Sequence, residues 1–222
     1  MYDFSYKNIS KKSGSVRLAL IGMSGVGKSF WSKRLERKGF RRFSCDDLIA
    51  KRLGFRLGNK DKSTLNLANW MGPPFSKDYI EAESLYLQIE EEVMDLICDE
   101  LENSIIEDDP IVLDTTGSLI YLNKLLLKRL CKLVRIVHLN LPIQKHKELF
   151  ETHRIDPKPL IWKGKFQPKE NENHTKTLRR CFEELISFRN KKYTLISDCE
   201  LDYSFHYCPK TKLDDFLDRV LK

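Results

Sequence analysis

The feature that most constrains this chain is the run Gly22-Met-Ser-Gly-Val-Gly27-Lys28-Ser29, which follows the apolar stretch Val16-Arg-Leu-Ala-Leu-Ile21. It satisfies the pattern G-x-x-x-x-G-K-[ST] at every fixed position. The apolar stretch reads as a strand buried on both faces, as in a parallel sheet. A helix is expected from about Gly27 to Lys38, with Phe30, Trp31 and Leu35 as its apolar face and Gly39 as its stop. Strand, glycine-rich turn and helix together form a phosphate cradle, because the glycines let backbone N–H groups and the helix N-terminus face an anion. Gly22, Ser24, Gly25, Val26, Gly27, Lys28 and Ser29 are therefore assigned to a nucleoside triphosphate. Lys28 reaches for the β- and γ-phosphates and Ser29 for the magnesium ion.

The remaining pattern alternates strands with helices. Phe40 to Cys45 reads as a short strand, and Asp46-Asp47-Leu48-Ile49 opens a helix whose first turn carries two acids, the sign that the helix dipole favours. A short helix is expected around Leu65 to Trp70, inside a mixed segment from Asn59 to Pro74. From about Lys77 to Ser104, Ile80, Leu85, Leu87, Ile89, Val93, Ile97 and Leu101 recur at helical spacing, so one long amphipathic helix is expected. Pro110 to Asp114 and Leu133 to Leu139 read as core strands, with a helix over Ile120 to Leu130 between them. A helix begins at Pro142 and runs to about His153. Arg154 to Thr175, rich in Pro, Lys, Glu and Asn, reads as a mobile loop. Helix Lys176 to Asn190, a strand within Tyr193 to Tyr207, and a closing amphipathic helix over Thr211 to Lys222 complete an α/β chain with a parallel sheet covered on both sides.

Composition sets limits on the alternatives. The chain has 222 residues with 41% hydrophobic and 32% charged content. That is enough apolar material for one core and excludes global disorder. No apolar run approaches the roughly 18 residues of a membrane span, and residues 1–15 read as a flexible, polar N-terminal extension without a secretory signal. The six cysteines form no C-x-x-C pair, which suits reduced thiols in a cytoplasmic protein. The formal charge of +7 is spread along the chain rather than gathered, so it suits an anionic small molecule as well as it suits nucleic acid.

Asp114 ends the run Ile-Val-Leu beside the expected phosphate loop. An acid there orients magnesium through water, although a turn cap before Thr115-Thr116-Gly117-Ser118 is the other use of an aspartate at a strand end. The five histidines show no metal-ligand spacing. Trp31 and Trp70 read as packing residues, and Trp162 as packing or a nucleotide contact.

These residues resemble a family. Gly22 to Gly54, with its phosphate loop, its acids and Leu48-Ile-Ala-Lys-Arg-Leu-Gly54, is similar to the corresponding part of shikimate kinases, small P-loop enzymes of the nucleoside-monophosphate-kinase type. Arg154-Ile-Asp-Pro-Lys158-Pro-Leu160 looks like their lid motif, and Arg189-Asn-Lys-Lys-Tyr193 like their helix bearing a substrate-binding arginine. The resemblance implies a parallel five-stranded sheet flanked by helices, a kinase domain over 16–222, an acceptor-binding helical segment at about 55–104 and a mobile lid at about 154–175. It implies that Asp46 binds the acceptor hydroxyl and accepts its proton, with Asp47 adjacent. Lys158 or Arg154 then brings a cation to the moving phosphoryl group, and Arg189 and Gly117 serve the acceptor. ATP and Mg2+ are the implied cofactors, and a monomer acting on a small, anionic, hydroxylated metabolite is the implied state.

Departures fall on the acceptor side. Ser44 replaces the first acid of the family's pair, the glycine-rich strip is Asp114-Thr-Thr-Gly117-Ser118, and the extra acceptor-binding arginine expected near Phe75 is missing, with Lys77 as a nearby point charge. Glu151 stands where a nucleotide-stacking arginine is common. Two other functions compete: an ATP-binding regulatory or interaction protein without acceptor chemistry, and a kinase of nucleotides or nucleic-acid ends drawing on Lys33, Arg34, Arg37, Lys38, Arg41 and Arg42. The guanine-reading Asn-Lys-x-Asp tetrad is absent from the sequence, which argues against a GTPase switch.

Overall fold

A computed structural model describes residues 15–56, 64–103 and 109–222. The expected N-terminal extension, Ser15 apart, and the first part of the Asn59 to Pro74 segment lie outside them. Five strands, β1 (Arg17–Ile21), β2 (Arg41–Ser44), β3 (Ile111–Asp114), β4 (Arg135–Leu139) and β5 (Cys199–Leu201), form one sheet in the order β2-β3-β1-β4-β5. Every pairing is parallel. From β1 the chain goes to one side of the sheet for β2 and β3, then crosses to the other side for β4 and β5. That reversal puts a crevice outside the carboxyl end of β1, where open α/β sheets bind ligands.

The helices are α1 (Lys28–Arg37), α2 (Cys45–Arg56), α3 (Thr64–Met71), α4 (Tyr79–Asn103), α5 (Lys124–Leu133), α6 (His146–Ile155), α7 (His174–Ile196), α8 (Tyr203–His206) and α9 (Leu213–Leu221). Burial of the strands explains their uninterrupted apolar runs: Leu18 to Ile21, Ile111 to Leu113 and Ile136 to Leu139 are almost fully covered, and His138 is the one polar side chain within them. At the chain's end, Trp31 of α1 stacks on Phe216 of α9 with ring centroids 4.2 Å apart and donates to the His206 carbonyl at 2.9 Å. The tryptophan thus ties the helix after the phosphate loop to the last helix.

Several boundaries differ from the sequence expectation. Asn123 caps α5 by accepting from the Leu126 N–H, so the expected Ile120 helix splits into a single 3-10 turn and a later α-helix. Ile80 is exposed on α4 at 73%, because the buried stripe of that helix runs through Tyr79, Glu83, Tyr86 and Glu90 instead. The lid segment is not uniformly loose either. Arg154 belongs to α6, and Leu160, Ile161 and Trp162 are buried. None of the six cysteines is in a disulfide. Among the described residues no helix is long and apolar enough to cross a membrane, and no group of three His, Cys, Asp or Glu side chains could hold a metal.

Candidate functional site

The phosphate loop leaves β1 at Gly22, whose φ of +144° is open to glycine and strained for other residues. A Cβ there would meet the Leu139 carbonyl oxygen at 2.8 Å, so the loop can lie this close to β4 only without a side chain. Lys28 curls back over the loop and donates to the carbonyls of Gly22 and Met23, each at 2.9 Å. Burial pushes its ammonium below the ordinary lysine range, while Asp114 and Asp46 pull it upward. Its two carbonyl partners belong to the loop itself, so a phosphate can take the ammonium from them by a local side-chain rearrangement.

Around the loop's mouth lies a pocket lined by Ser24, Lys28, Asp46, Tyr86, Gly117, Ser118, Lys158, Leu160, Ile161 and Arg189 among others. It joins residues from the phosphate loop, the start of α1, α2, α4, the strip after β3, the lid and α7. Asp46 sits in the first turn of α2, directly after β2, with the Tyr86 hydroxyl 3.5 Å from Oδ1. Burial raises its carboxyl to about 6, against the pull of Lys28 and with a further push from Asp114 and Asp47. Gly117 packs close to Arg189: a Cβ on it would stand 3.2 Å from Nη1 and 3.4 Å from the Ser24 nitrogen. One turn beyond Arg189 on α7, Tyr193 donates to the Gly117 carbonyl at 2.5 Å and fixes this contact.

Arg189 is 2% exposed. Nη2 donates to the Ile161 carbonyl, Nη1 lies 3.9 Å from the Met23 sulfur, the guanidinium lies over Tyr121, and Nε has no partner. Its direct neighbours are a carbonyl, a thioether and the Tyr121 and Tyr193 side chains, and the Glu90 carboxyl acts on it from further off in favour of the charged form. A buried charge of this kind is costly, and an anion entering the pocket would relieve it.

The pocket does not gather every expected residue. Asp47 is exposed on α2, and Arg154 is exposed with its guanidinium 2.8 Å from Glu151; α6 carries Arg154 outward, whereas Lys158, beyond the helix, lines the pocket beside Asp156. Trp162 packs edge-on against Phe166 and Phe182, which assigns it to packing rather than nucleotide contact. The basic group on α1 and β2 is dispersed into local partners: Lys38 with Asp214, Arg41 with Glu100, Arg34 over Phe30 and Trp31.

Asp114 lies at the carboxyl end of β3, in register with Leu20 on one side and Ser44 on the other. Its Oδ2 accepts from Arg42 at 2.7 Å and from the Ser32 hydroxyl at 2.9 Å, and Arg42 Nε donates to that same hydroxyl at 2.8 Å. For magnesium the available donors are the exposed Ser29 hydroxyl and this carboxylate, which are hard oxygen ligands of the kind the ion takes. With Oδ2 engaged by Arg42, Asp114 suits contact through metal-bound water.

Two groups escape the sequence reading. Glu90 of α4 is 1% exposed, accepts from the Thr116 hydroxyl and leaves Oε2 unpartnered. Burial raises its carboxyl to about 7, countered by bonds from Thr116 and Ser118. The signal was available as the spacing Tyr79, Glu83, Tyr86, Glu90, a polar line at helical intervals on one face. The second group surrounds a cleft lined by Gly25, Leu141, Lys145, Glu148, Leu149, Thr152, Tyr203 and Tyr207. Tyr203 and Tyr207 stack 4.6 Å apart, and the Lys145 ammonium stands 5.6 Å from the Tyr203 ring.

With this geometry in hand, solved structures give a comparison. Shikimate kinase from Acinetobacter baumannii, in complex with shikimate, superposes with a TM-score of 0.57 at 15% identity, covering 94% of this chain and 92% of that one. Shikimate kinase from Bacteroides thetaiotaomicron gives 0.58 at 15% identity, with 92% and 95% covered. The chain therefore has the fold of these P-loop kinases over nearly its whole length. No protein-family model matches the sequence, and no curated protein matches it significantly.

Proposed function

We propose that this chain is an ATP-dependent kinase that moves the γ-phosphoryl group to a hydroxyl of a small anionic metabolite. The observation that carries the reading is the single pocket in which Lys28, Asp46, Lys158 and Arg189 converge beside the phosphate loop. Loop N–H groups and Lys28 hold the triphosphate, and the stacked Tyr203 and Tyr207 rings at the neighbouring cleft offer a face for the base. Magnesium, when bound through Ser29 and Asp114, neutralises phosphate charge. Ser44, where the resemblance expects an acid, pairs in register with Asp114, so the missing carboxylate has a counterpart on the adjacent strand.

Arg189 binds the acceptor's anionic group, and Asp46 takes hold of its hydroxyl. The hydroxyl oxygen then attacks the γ-phosphorus as the bond to the β-phosphate oxygen breaks, its proton passing to the Asp46 carboxylate. ADP leaves, and Lys28 and Lys158 stabilise the charge on the transferring group. Asp47 and Arg154, facing solvent, have no part in these steps. The lid residues Lys158 to Ile161 and Tyr86 of α4 enclose the acceptor. A screen of hydroxylated acids, sugars and nucleosides for stimulated ADP release tests the reading: a hydroxylated acid should stimulate most, and stimulation by none of them supports a nucleotide-binding protein without acceptor chemistry.

A further inference from the structure

One wall of the acceptor pocket, at Leu160 and Ile161, is made of backbone that is held from behind. Leu160, Ile161 and Trp162 are 7%, 2% and 4% exposed, yet belong to no helix or strand. Their peptide groups therefore need partners from elsewhere. Those partners come from the start of α4. Oε1 of Glu83 accepts from the Trp162 N–H at 2.6 Å, from the Lys163 N–H at 2.8 Å and from the Tyr79 hydroxyl at 2.5 Å. That hydroxyl also lies 2.9 Å from both the Leu160 carbonyl and the Trp162 nitrogen. Glu83 is 9% exposed, and hydrogen bonds to an ionised acceptor are about twice as strong as neutral ones. Lys163 adopts a left-handed φ of 48°, a conformation that L residues avoid, and the bond to its N–H holds it there.

The grip passes inward. The residue before Trp162 is Ile161, whose carbonyl takes Nη2 of Arg189, and Leu160 and Ile161 face the pocket. A continuous chain thus runs from the Glu83 carboxylate through two peptide N–H groups and one carbonyl to the guanidinium.

We propose that Glu83 is a positioning residue for acceptor binding: by gripping the 160–163 backbone it fixes the carbonyl that orients Arg189 and the wall against which the acceptor rests. This rests on the reading of the pocket as an acceptor site. It divides the lid into a fixed wall at 160–163 and an outer arm at 156–159 that carries Lys158.

The test uses the full chain with Glu83→Ala, Glu83→Gln and Tyr79→Phe. The first readout needs no acceptor: the rate at which phenylglyoxal modifies Arg189, mapped by peptide mass spectrometry, together with amide exchange at Trp162 and Lys163. Glu83→Ala should speed both by about 10-fold or more, the equivalent of losing one to two hydrogen bonds to a charged group. Glu83→Gln, which keeps an accepting oxygen, should stay near wild type, and Tyr79→Phe should fall between. The second readout is steady state with the stimulating acid: KM for the acceptor should rise about 10-fold in Glu83→Ala while KM for ATP changes less than about 2-fold. Unchanged labelling and exchange in Glu83→Ala, or an equal rise in both KM values, overturns the proposal. Faster labelling without any phosphorylated acceptor leaves the grip on Arg189 standing and overturns the kinase reading and with it the acceptor role.

Discussion

Arg42 Nη2 lies 2.7 Å from Asp114 Oδ2, and both side chains are largely buried, at 11% and 5% exposure. The pair joins β2 to the carboxyl end of β3 and brings Ser32 of α1 into the same contact. It therefore fixes the strand end from which α2 and Asp46 depart. Arg42→Ala strands the Asp114 carboxylate and should cost about 3 kcal/mol, as breaking a buried pair does. Urea denaturation measures it. The double variant Arg42→Ala with Asp114→Asn should recover part of the loss, since no unpaired charge remains.

Phosphoryl transfer requires Asp46 ionised, and burial raises its carboxyl to about 6. Below that pH, kcat/KM should fall about tenfold per pH unit, and above it the profile should level off. Asp114 is one of the charges that push Asp46 upward, so Asp114→Asn should move the acid limb to lower pH whatever it does to the plateau. A limb that stays in place would show that the titrating group is not Asp46.

Glu90 holds its proton in the folded chain up to about 7, against an ordinary 4.5. Between those values the folded state binds more protons than the unfolded one, so its contribution to stability falls as pH rises through that window and is level above it. Glu90→Gln removes the dependence. Relative to wild type, the variant should gain on the order of 3 kcal/mol between pH 4.5 and 8. Denaturation midpoints at both pH values read it, and parallel curves would contradict a buried, protonated Glu90.

These residues show where the sequence is informative. The phosphate loop is legible as a motif because Gly22, Gly27, Lys28 and Ser29 have fixed spacing dictated by phosphate geometry, whereas the role of Asp46 came from the resemblance, since two acids in a helix's first turn are also what the helix dipole favours. Arg189 was reached through resemblance alone, since one arginine on a helix carries no mark of burial. Glu83 and Glu90 escaped because amphipathic periodicity weights apolar residues: the reading followed Ile80, which faces solvent, and passed over the buried tyrosine and glutamate line on the other face. Arg154 was misplaced by half a turn of context, as α6 extends to Ile155 and carries it outward.

The stacked pair Tyr203 and Tyr207 marks the cleft beside Gly25. Tyr203→Ala should raise KM for ATP about 10-fold, the size of one base–aromatic stack, and leave KM for the acceptor unchanged. Competition by ADP, titrated in both proteins, checks the assignment, and equal ADP affinity would place the base elsewhere.

The central claim is phosphoryl transfer through Lys28 and Asp46. The most direct measurement follows the γ-phosphoryl group of ATP by 31P NMR in the presence of the stimulating hydroxylated acid, for wild type, Lys28→Ala and Asp46→Asn. Wild type should form a phosphate monoester of the acid at the rate ADP appears, and each variant should be slower by about 100-fold or more. ADP accompanied only by inorganic phosphate, or an Asp46→Asn protein that makes the ester at the wild-type rate, would contradict the account.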